Sequence, residues 1–177
     1  RLMDVMGLFS GQTQPAQMSI TTVGPALIEQ TVDLQASSAQ VFEALTSGID
    51  NWWNQRALAD SQIILEPYVN GRFYEAFNAN GQGILYAYVT TIIQDLEIRL
   101  QGTLEFSEHF ANVSLPENFV HITLESQDND SKLLLRNHFH GGTDKATGDI
   151  CNQRWHILLN QHLKPYVEEG ILFEDDP

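Results

Sequence analysis

The chain has 177 residues, 42% hydrophobic and 18% charged, a composition typical of a globular domain with one sizeable core rather than a disordered segment. Nine Lys and Arg stand against 23 Asp and Glu, a net charge of −14, which argues against binding to nucleic acids or anionic membranes. The lone cysteine, Cys151, excludes an internal disulfide and a multi-cysteine metal site. No apolar run approaches the roughly 18 residues of a membrane-spanning helix, so membrane insertion is not expected.

The first 24 residues do not form a clear signal peptide, because Asp4 and Gly7 interrupt a short apolar run. We interpret residues 1–24 as an N-terminal arm of unknown role, residues 25–170 as one domain and residues 171–177 as an acidic tail. A single cysteine fits a reducing compartment, so we expect a cytoplasmic protein, with an exported form as the alternative.

Residues 25–34 alternate apolar and polar positions and predict a strand. Ser37 and Gln40 have the spacing of a capping box, which predicts that a helix begins there. A second short helix is predicted around the adjacent pair Trp52 and Trp53. Adjacent helical residues point in different directions, so the two indoles are not expected to share one buried stripe.

In the rest of the chain, short runs with the pattern of strands are followed by one long segment with the pattern of a helix. Strands are predicted at 61–67, 70–77, 84–93, 95–102, 119–126 and 131–142, and a helix at 148–170, whose apolar residues recur every three or four positions. An antiparallel sheet with one apolar face needs a cover, which a long amphipathic helix supplies. The order of elements therefore predicts an α+β architecture.

Several motifs in this order resemble those of the START-like (SRPBCC) superfamily, which includes the birch pollen allergen, polyketide cyclases and activators of the heat-shock chaperone ATPase. They are "ASSAQVFEALTSGIDNWW", "VNGRFYE", "DLEIRLQGTL", "SKLLLRNHFHGG" and a final helix with Trp155 near its start and Leu163, Tyr166, Glu168 and Gly170 near its end. The resemblance covers residues 27–170. Asn70 stands where the family usually has a glycine.

The resemblance implies the helix-grip fold, a curved antiparallel sheet of about six or seven strands around a long C-terminal helix, with two short helices after the first strand. It also implies a cavity between sheet and helix that binds a small apolar or amphipathic molecule. One tryptophan would then anchor the short helix and the other line the cavity; the alternative is that both only pack. Tyr86 and Tyr88 are expected on one face of their strand. The candidate lining residues are Trp52, Trp53, Phe73, Phe77, Tyr86, Tyr88, Asn137, Phe139, Trp155 and His162.

Two side chains are candidates for acid–base chemistry. Glu75 alternates with Phe73 and Phe77, and a carboxylate between two inward aromatic rings is costly to bury unless it is paired or protonated. The alternative is a bulge that turns Glu75 outward. His162 follows Trp155 by two helical turns and lies on the same side of the helix, so it could place an imidazole in the cavity. The alternative for His162 is a hydrogen-bonded residue at the edge of the core.

His138 and His140 alternate on one strand and could share a metal only with a third ligand from elsewhere. The apolar face of this strand carries Leu133, Leu135 and Asn137, which places both histidines on the solvated face. We therefore expect no metal site and no cofactor.

Three functions remain open at this point. The first is a carrier or sensor that holds a small apolar or amphipathic molecule. The second is a cyclase, hydratase or hydrolase that uses Glu75 and His162 as acid and base. The third is an interaction protein, similar to a chaperone ATPase activator, whose acidity matches a basic partner surface. A homodimer is compatible with each of them.

Overall fold

The computed structural model describes residues 27–103, 117–141 and 143–173. The predicted arm at 1–24 and the end of the predicted tail, 174–177, lie outside these ranges. The strands are β1 (Leu27–Leu34), β2 (Gln62–Leu65), β3 (Arg72–Ala76), β4 (Gly83–Ile93), β5 (Glu97–Gly102), β6 (Asn118–Gln127) and β7 (Asp130–Phe139). They form one seven-stranded sheet in the order β1-β7-β6-β5-β4-β3-β2, with every neighbouring pair antiparallel.

The helices lie at two places in the chain. After β1 come α1 (Ser38–Leu45) and a 3₁₀ turn (Ile49–Asn51), so the second of the two predicted short helices is a single turn. After β7, α2 (Lys145–Ile157), a π-helical turn (Leu158–Leu163) and α3 (Lys164–Glu169) follow without interruption and form the C-terminal helix. The α+β helix-grip architecture is thus confirmed. No helix in the described ranges has the length and apolar character needed to cross a membrane.

The predicted capping box begins α1. The Ser37 side chain accepts a hydrogen bond from the backbone N–H of Gln40 at 3.2 Å, and the Gln40 side chain accepts one from the backbone N–H of Ser37 at 2.9 Å. The C-terminal helix begins earlier than the predicted residue 148, because Asp144 caps it by accepting from the Thr147 N–H at 2.8 Å.

The C-terminal helix widens just before Pro165. The backbone N–H of Lys164 donates to the carbonyl of Leu159, five residues back, which is the π-helical spacing. Proline has no N–H to donate, so a helix that contains it must change its bonding near that point. Here the change takes the form of a π turn, and α3 then carries Pro165 in its first turn.

A bulge on β4 changes which side chains face the core. Phe73 pairs with Ala87 and Tyr74 pairs with Leu85, which leaves Tyr86 as an extra residue. Tyr86 and Ala87 are therefore both buried, whereas Tyr88 is 47% exposed on the outer face. The prediction that Tyr86 and Tyr88 share a face is wrong, because strict alternation does not hold across a bulge.

Candidate functional site

Both tryptophans of the pair are buried, in different surroundings. The Trp52 indole N–H donates to the carbonyl of Ala44 at 2.7 Å and so ties the 3₁₀ turn to the end of α1. The Trp53 ring makes edge-to-face contacts with Trp52, Phe73 and Trp155, with ring centroids 5.5, 5.1 and 5.9 Å away. The two indoles are buried together because they follow the 3₁₀ turn rather than lie within a helix. Trp52 anchors the turn, and Trp53 lies between the sheet and the C-terminal helix.

A small cavity remains beside Trp53. Its walls are entirely apolar and consist of Leu45, Ile49, Trp53, Leu65, Phe73, Ile98, Leu100, Ile122 and Trp155. Its volume is ≈ 20 Å³. That is about the space of one water molecule, whereas pockets for small molecules measure roughly 300–1,000 Å³. Aromatic rings therefore fill most of the space between sheet and helix at this place.

Only part of the predicted lining set meets at this cavity. Trp53, Phe73 and Trp155 line it. Trp52, Tyr86, Asn137, Phe139 and His162 are buried but are not among its walls. Phe77 lies just after the end of β3 and is half-buried, and Tyr88 is on the outer face of the sheet.

Asn137 faces the interior, as the register of β7 predicts, and both the oxygen and the nitrogen of its side-chain amide are hydrogen-bonded. Its oxygen accepts from the indole N–H of Trp155 at 3.0 Å, and its nitrogen donates to the Asn118 side chain at 3.2 Å and to the Phe119 carbonyl at 3.1 Å. The amide thus joins β6 and β7 to α2. His138 and His140 are exposed, as expected for the solvated face.

Glu75 is the most heavily bonded side chain near the cavity, and it points inward with no exposed surface. Its two oxygens accept from the backbone N–H of Ala57 at 2.8 and 3.0 Å and from that of Leu58 at 3.1 Å. They also accept from the Ser61 hydroxyl at 2.6 Å and from the Tyr86 hydroxyl at 2.5 Å. Glu75 therefore fastens the loop between the 3₁₀ turn and β2 to strands β3 and β4.

These bonds also determine the charge of Glu75. Burial alone raises the pKa of a carboxyl group, but the hydrogen bonds from Ser61, Tyr86, Ala57 and Leu58 outweigh burial and lower the pKa of Glu75. The side chain is therefore an ionised carboxylate at neutral pH with its acceptor positions occupied. A general acid must instead hold a proton, and a general base needs a free lone pair directed at its substrate.

The loop that surrounds this carboxylate was not predicted from the sequence. Within it, the Arg56 guanidinium donates to Asp50 Oδ1 and to the carbonyl of Ser61, both at 2.7 Å, and to the carbonyl of Trp53 at 2.8 Å. Its side chain is only 4% exposed. The available signal was the polar run "NQRALADS" between two apolar segments, since a loop that carries an arginine needs a partner for that charge.

His162 is buried in the π turn of the C-terminal helix. Cys151 is buried in α2, and burial raises the pKa of its thiol to about 11, so it is not a nucleophile at neutral pH. Within the described ranges, no group of three or more His, Cys, Asp or Glu side chains is placed to hold a metal ion.

Comparisons with known proteins agree with this fold. No protein-family profile matches the chain, and no curated protein matches it. Among solved structures, the Aha1 dimer from Colwellia psychrerythraea has a TM-score of 0.55 at 21% identity, over 81% of this chain and 97% of that one. CV1439 from Chromobacterium violaceum has a TM-score of 0.58 at 19% identity, over 81% and 97%.

A third solved structure is DynU16, a protein of the dynemicin biosynthetic locus. It has a TM-score of 0.62 at 15% identity and covers 83% of this chain and 49% of its own. At these identities the likeness is one of fold. Together with the seven-stranded sheet and the C-terminal helix, it shows that the chain has the helix-grip fold.

Proposed function

We propose that the chain is a protein-binding domain that recognises a basic surface of a partner protein, in the manner of a chaperone ATPase activator. The observation that carries the proposal is the packing of Trp53, Phe73 and Trp155, which leaves an interior cavity of only ≈ 20 Å³ in the part of the chain that the structure describes. A domain that holds a ligand inside needs a larger pocket. A domain that acts through its surface needs none.

The charge of the chain indicates the kind of partner. A net charge of −14 attracts basic surfaces and raises the rate at which they associate with the domain. Among the solved structures of this fold, Aha1 is a chaperone ATPase activator, which gives a first partner to test. Catalysis by Glu75 is not part of the proposal, because its acceptor positions are already occupied.

The test is a titration of the purified chain with a purified heat-shock chaperone ATPase, at low and at physiological salt, by isothermal titration calorimetry. We expect binding that weakens as salt rises, because exposed charges are screened over about 8–10 Å at physiological ionic strength. Binding that does not change with salt would contradict the electrostatic part of the proposal. Absence of binding at low salt would remove this partner, and the ATPase rate measured alongside reports whether binding activates the chaperone.

A second candidate function is the holding of a small apolar molecule, and the wholly apolar wall of the cavity favours it. Such a guest would require the Trp53 ring to move from its place between Phe73 and Trp155. Native mass spectrometry of the purified chain distinguishes the two candidates. A discrete extra mass that leaves on denaturation supports the second candidate. A bare protein mass, together with salt-sensitive chaperone binding, supports the first.

A further inference from the structure

Strand β1 forms one edge of the sheet, and the C-terminal helix covers only part of this edge. β1 pairs with β7 on one side. On the other side, Lys164 Nζ donates to the backbone carbonyl of Asp33 at 2.7 Å. The backbone N–H of Gln35, just after the strand, donates to the Glu168 side chain at 3.3 Å. Side chains of the C-terminal helix therefore hydrogen-bond to the backbone in the second half of the edge.

Among the residues that the structure describes, none pairs with the first half of the same edge. In an antiparallel strand, the N–H and C=O groups of one residue point to the same side, and successive residues alternate between the two sides. The groups of Asp33 point away from β7, so those of Glu29 and Thr31 do as well. No other described residue hydrogen-bonds the backbone groups of Glu29 or Thr31 on this side. An open edge of this kind can pair with a further strand.

A groove lies beside this open edge, with one side of α2 as its second wall. Its volume is ≈ 540 Å³, and it opens broadly to the surface. The residues that line it are Glu29, Gln30, Thr31, Asp149, Asn152, Gln153, His156 and Asn160. The helical members recur every three or four positions, so they form one continuous polar face. The polar lining suits an extended backbone better than an apolar ring.

The polar network between the two walls is incomplete. Gln30 donates through Nε2 to the Asn152 carbonyl at 2.6 Å and to the Asn152 side-chain oxygen at 2.9 Å. Its own Oε1 is buried and is the one such side-chain atom in the described ranges that has no hydrogen-bond partner. A buried acceptor without a donor destabilises the folded state. An occupant that carries N–H donors would remove this deficit.

The lining of the groove is acidic in composition. Its lining includes the carboxylates of Glu29 and Asp149 and contains no Lys or Arg. Glu29 is paired with Arg136 at 3.3 Å and Asp149 with Lys145 at 2.6 Å, but all four side chains are more than half exposed. Exposed ion pairs of this kind are weak and exchange partners readily. A positively charged occupant is therefore favoured, in agreement with the net charge of the chain.

We propose that this groove binds an extended, basic segment of a partner protein, which adds a strand beside β1 and pairs its backbone with Glu29 and Thr31. This inference rests on the proposed protein-binding function and gives it a location. Main-chain bonds supply the affinity in strand addition, and side-chain pockets supply the specificity. Here the carboxylates and amides on either side of the added strand select lysine-rich sequences.

The first test uses an acetylated and amidated heptapeptide of alternating Lys and Val, with a Glu–Val peptide as the charge control. Hydrogen exchange followed by NMR reports directly on the backbone amides of the β1 edge. We expect the Glu29 and Thr31 amides to become protected when the Lys–Val peptide is added, and the Gln30 amide, which faces β7, to stay unchanged. Protection elsewhere, or equal binding of the Glu–Val peptide, would overturn the inference.

The second test compares two variants at one position. Thr31→Pro removes the N–H on the open side, where it bonds nothing in the sheet, and edge strands tolerate proline there. Thr31→Ala keeps the N–H and serves as the matched control. We expect Thr31→Pro to weaken peptide binding about tenfold, the value of one lost backbone bond, and Thr31→Ala to stay within about twofold. Equal affinities in a folded Thr31→Pro variant would refute the site.

The chaperone titration separates failure of the site from failure of the function. If Thr31→Pro binds the chaperone as well as the unsubstituted chain does, the function stands and the β1 groove is not its site. If the unsubstituted chain binds neither peptide nor chaperone, both the β1 groove and the proposed function are refuted. If the chain is a dimer by sedimentation and Thr31→Pro makes it a monomer, a second copy occupies the edge, and the proposal of a basic partner is wrong.

Discussion

Replacement of Glu75 tests whether this carboxylate stabilises the fold by holding the loop before β2 to strands β3 and β4. In Glu75→Gln, one side-chain oxygen remains to accept from Ala57, Leu58 and Ser61, and the new amide nitrogen can donate to the Tyr86 hydroxyl. The network then keeps its bonds and loses its charge. In Glu75→Ala, all of these donors lose their acceptor. The two substitutions should therefore differ sharply in their effect on the free energy of unfolding.

The hydrogen bonds give the expected size of each effect. Bonds to a charged group are worth about 1.5–3 kcal/mol and neutral ones about 0.5–1.5 kcal/mol, so Glu75→Gln should cost about 1–2 kcal/mol. In Glu75→Ala the hydroxyls of Ser61 and Tyr86 lose the carboxylate; Ser61 keeps its bond to the Leu58 carbonyl at 2.7 Å, and the N–H groups of Ala57 and Leu58, in exposed residues, can turn to water. The lost bonds to the carboxylate, worth about 1.5–3 kcal/mol each, and the cavity left behind together predict a loss of about 3–5 kcal/mol.

The dependence on pH has a definite sign. The pKa of Glu75 is lowered in the folded protein, so between the folded and unfolded pKa values the unfolded chain binds more protons. The stabilisation by the charged form is therefore complete above the unfolded value, about 4.3, and is lost as the pH falls through the folded value. The difference in stability between the unsubstituted chain and Glu75→Gln should be largest at neutral pH and should shrink in acid.

The assay is urea unfolding followed by tryptophan fluorescence at pH 7 and at two acidic pH values. Glu125→Gln, at an exposed position of β6, is the control and should change stability by less than about 0.5 kcal/mol. A Glu75→Gln variant as stable as the unsubstituted chain, or a difference that grows as the pH falls, would refute the assignment. A difference that grows as the pH falls would mean that the pKa of Glu75 is raised, and Glu75 would again be a candidate general acid.

Three further outcomes follow from closely packed positions. Cys151 should resist a thiol reagent in the native protein and react only in denaturant, since burial raises its pKa to about 11; rapid native labelling would contradict this. Gly102→Ala should destabilise by about 2–4 kcal/mol in thermal melting, because the added Cβ would lie 2.3 Å from the Tyr86 carbonyl and 2.6 Å from the Ala87 Cα. Trp53→Ala should lower the free energy of unfolding by about 3–5 kcal/mol and leave an apolar cavity. Benzene that binds in this cavity should raise the melting temperature of the variant. An unchanged melting temperature with benzene would mean that the site has collapsed.

The sequence predicted features that depend on regular alternation or on a local motif. The capping box of Ser37 and Gln40 formed as its spacing predicts, because both partners lie within one turn. Glu75 and Asn137 face the interior, as the apolar residues two positions away on their strands predict. In each case the signal lies within a few residues of the feature.

Features that depend on contacts between distant segments were not predictable. The exposure of Tyr88 depends on a bulge opposite Phe73, which appears only when β3 and β4 pair. The donors to Glu75 come from a loop whose path no periodicity describes. The size of the interior cavity depends on where the Trp53 ring lies. A family resemblance implies a fold, but the volume left inside that fold depends on individual side chains.

The position of β1 has a consequence for the order in which the chain acquires structure. Six strands, β2 to β7, follow one another as neighbours in the sheet and can pair as soon as each is made. β1 is the first of the described strands, and the strand that it pairs with, β7, comes about a hundred residues later; closing so long a loop is slow. β1 and α1 are therefore synthesised before β7, and we expect the edge of β7 to stay exposed until β1 docks onto it. The rate-limiting event in folding should be the docking of the first strand onto the seventh, and substitutions in β1 should slow refolding more than equally destabilising ones in β2.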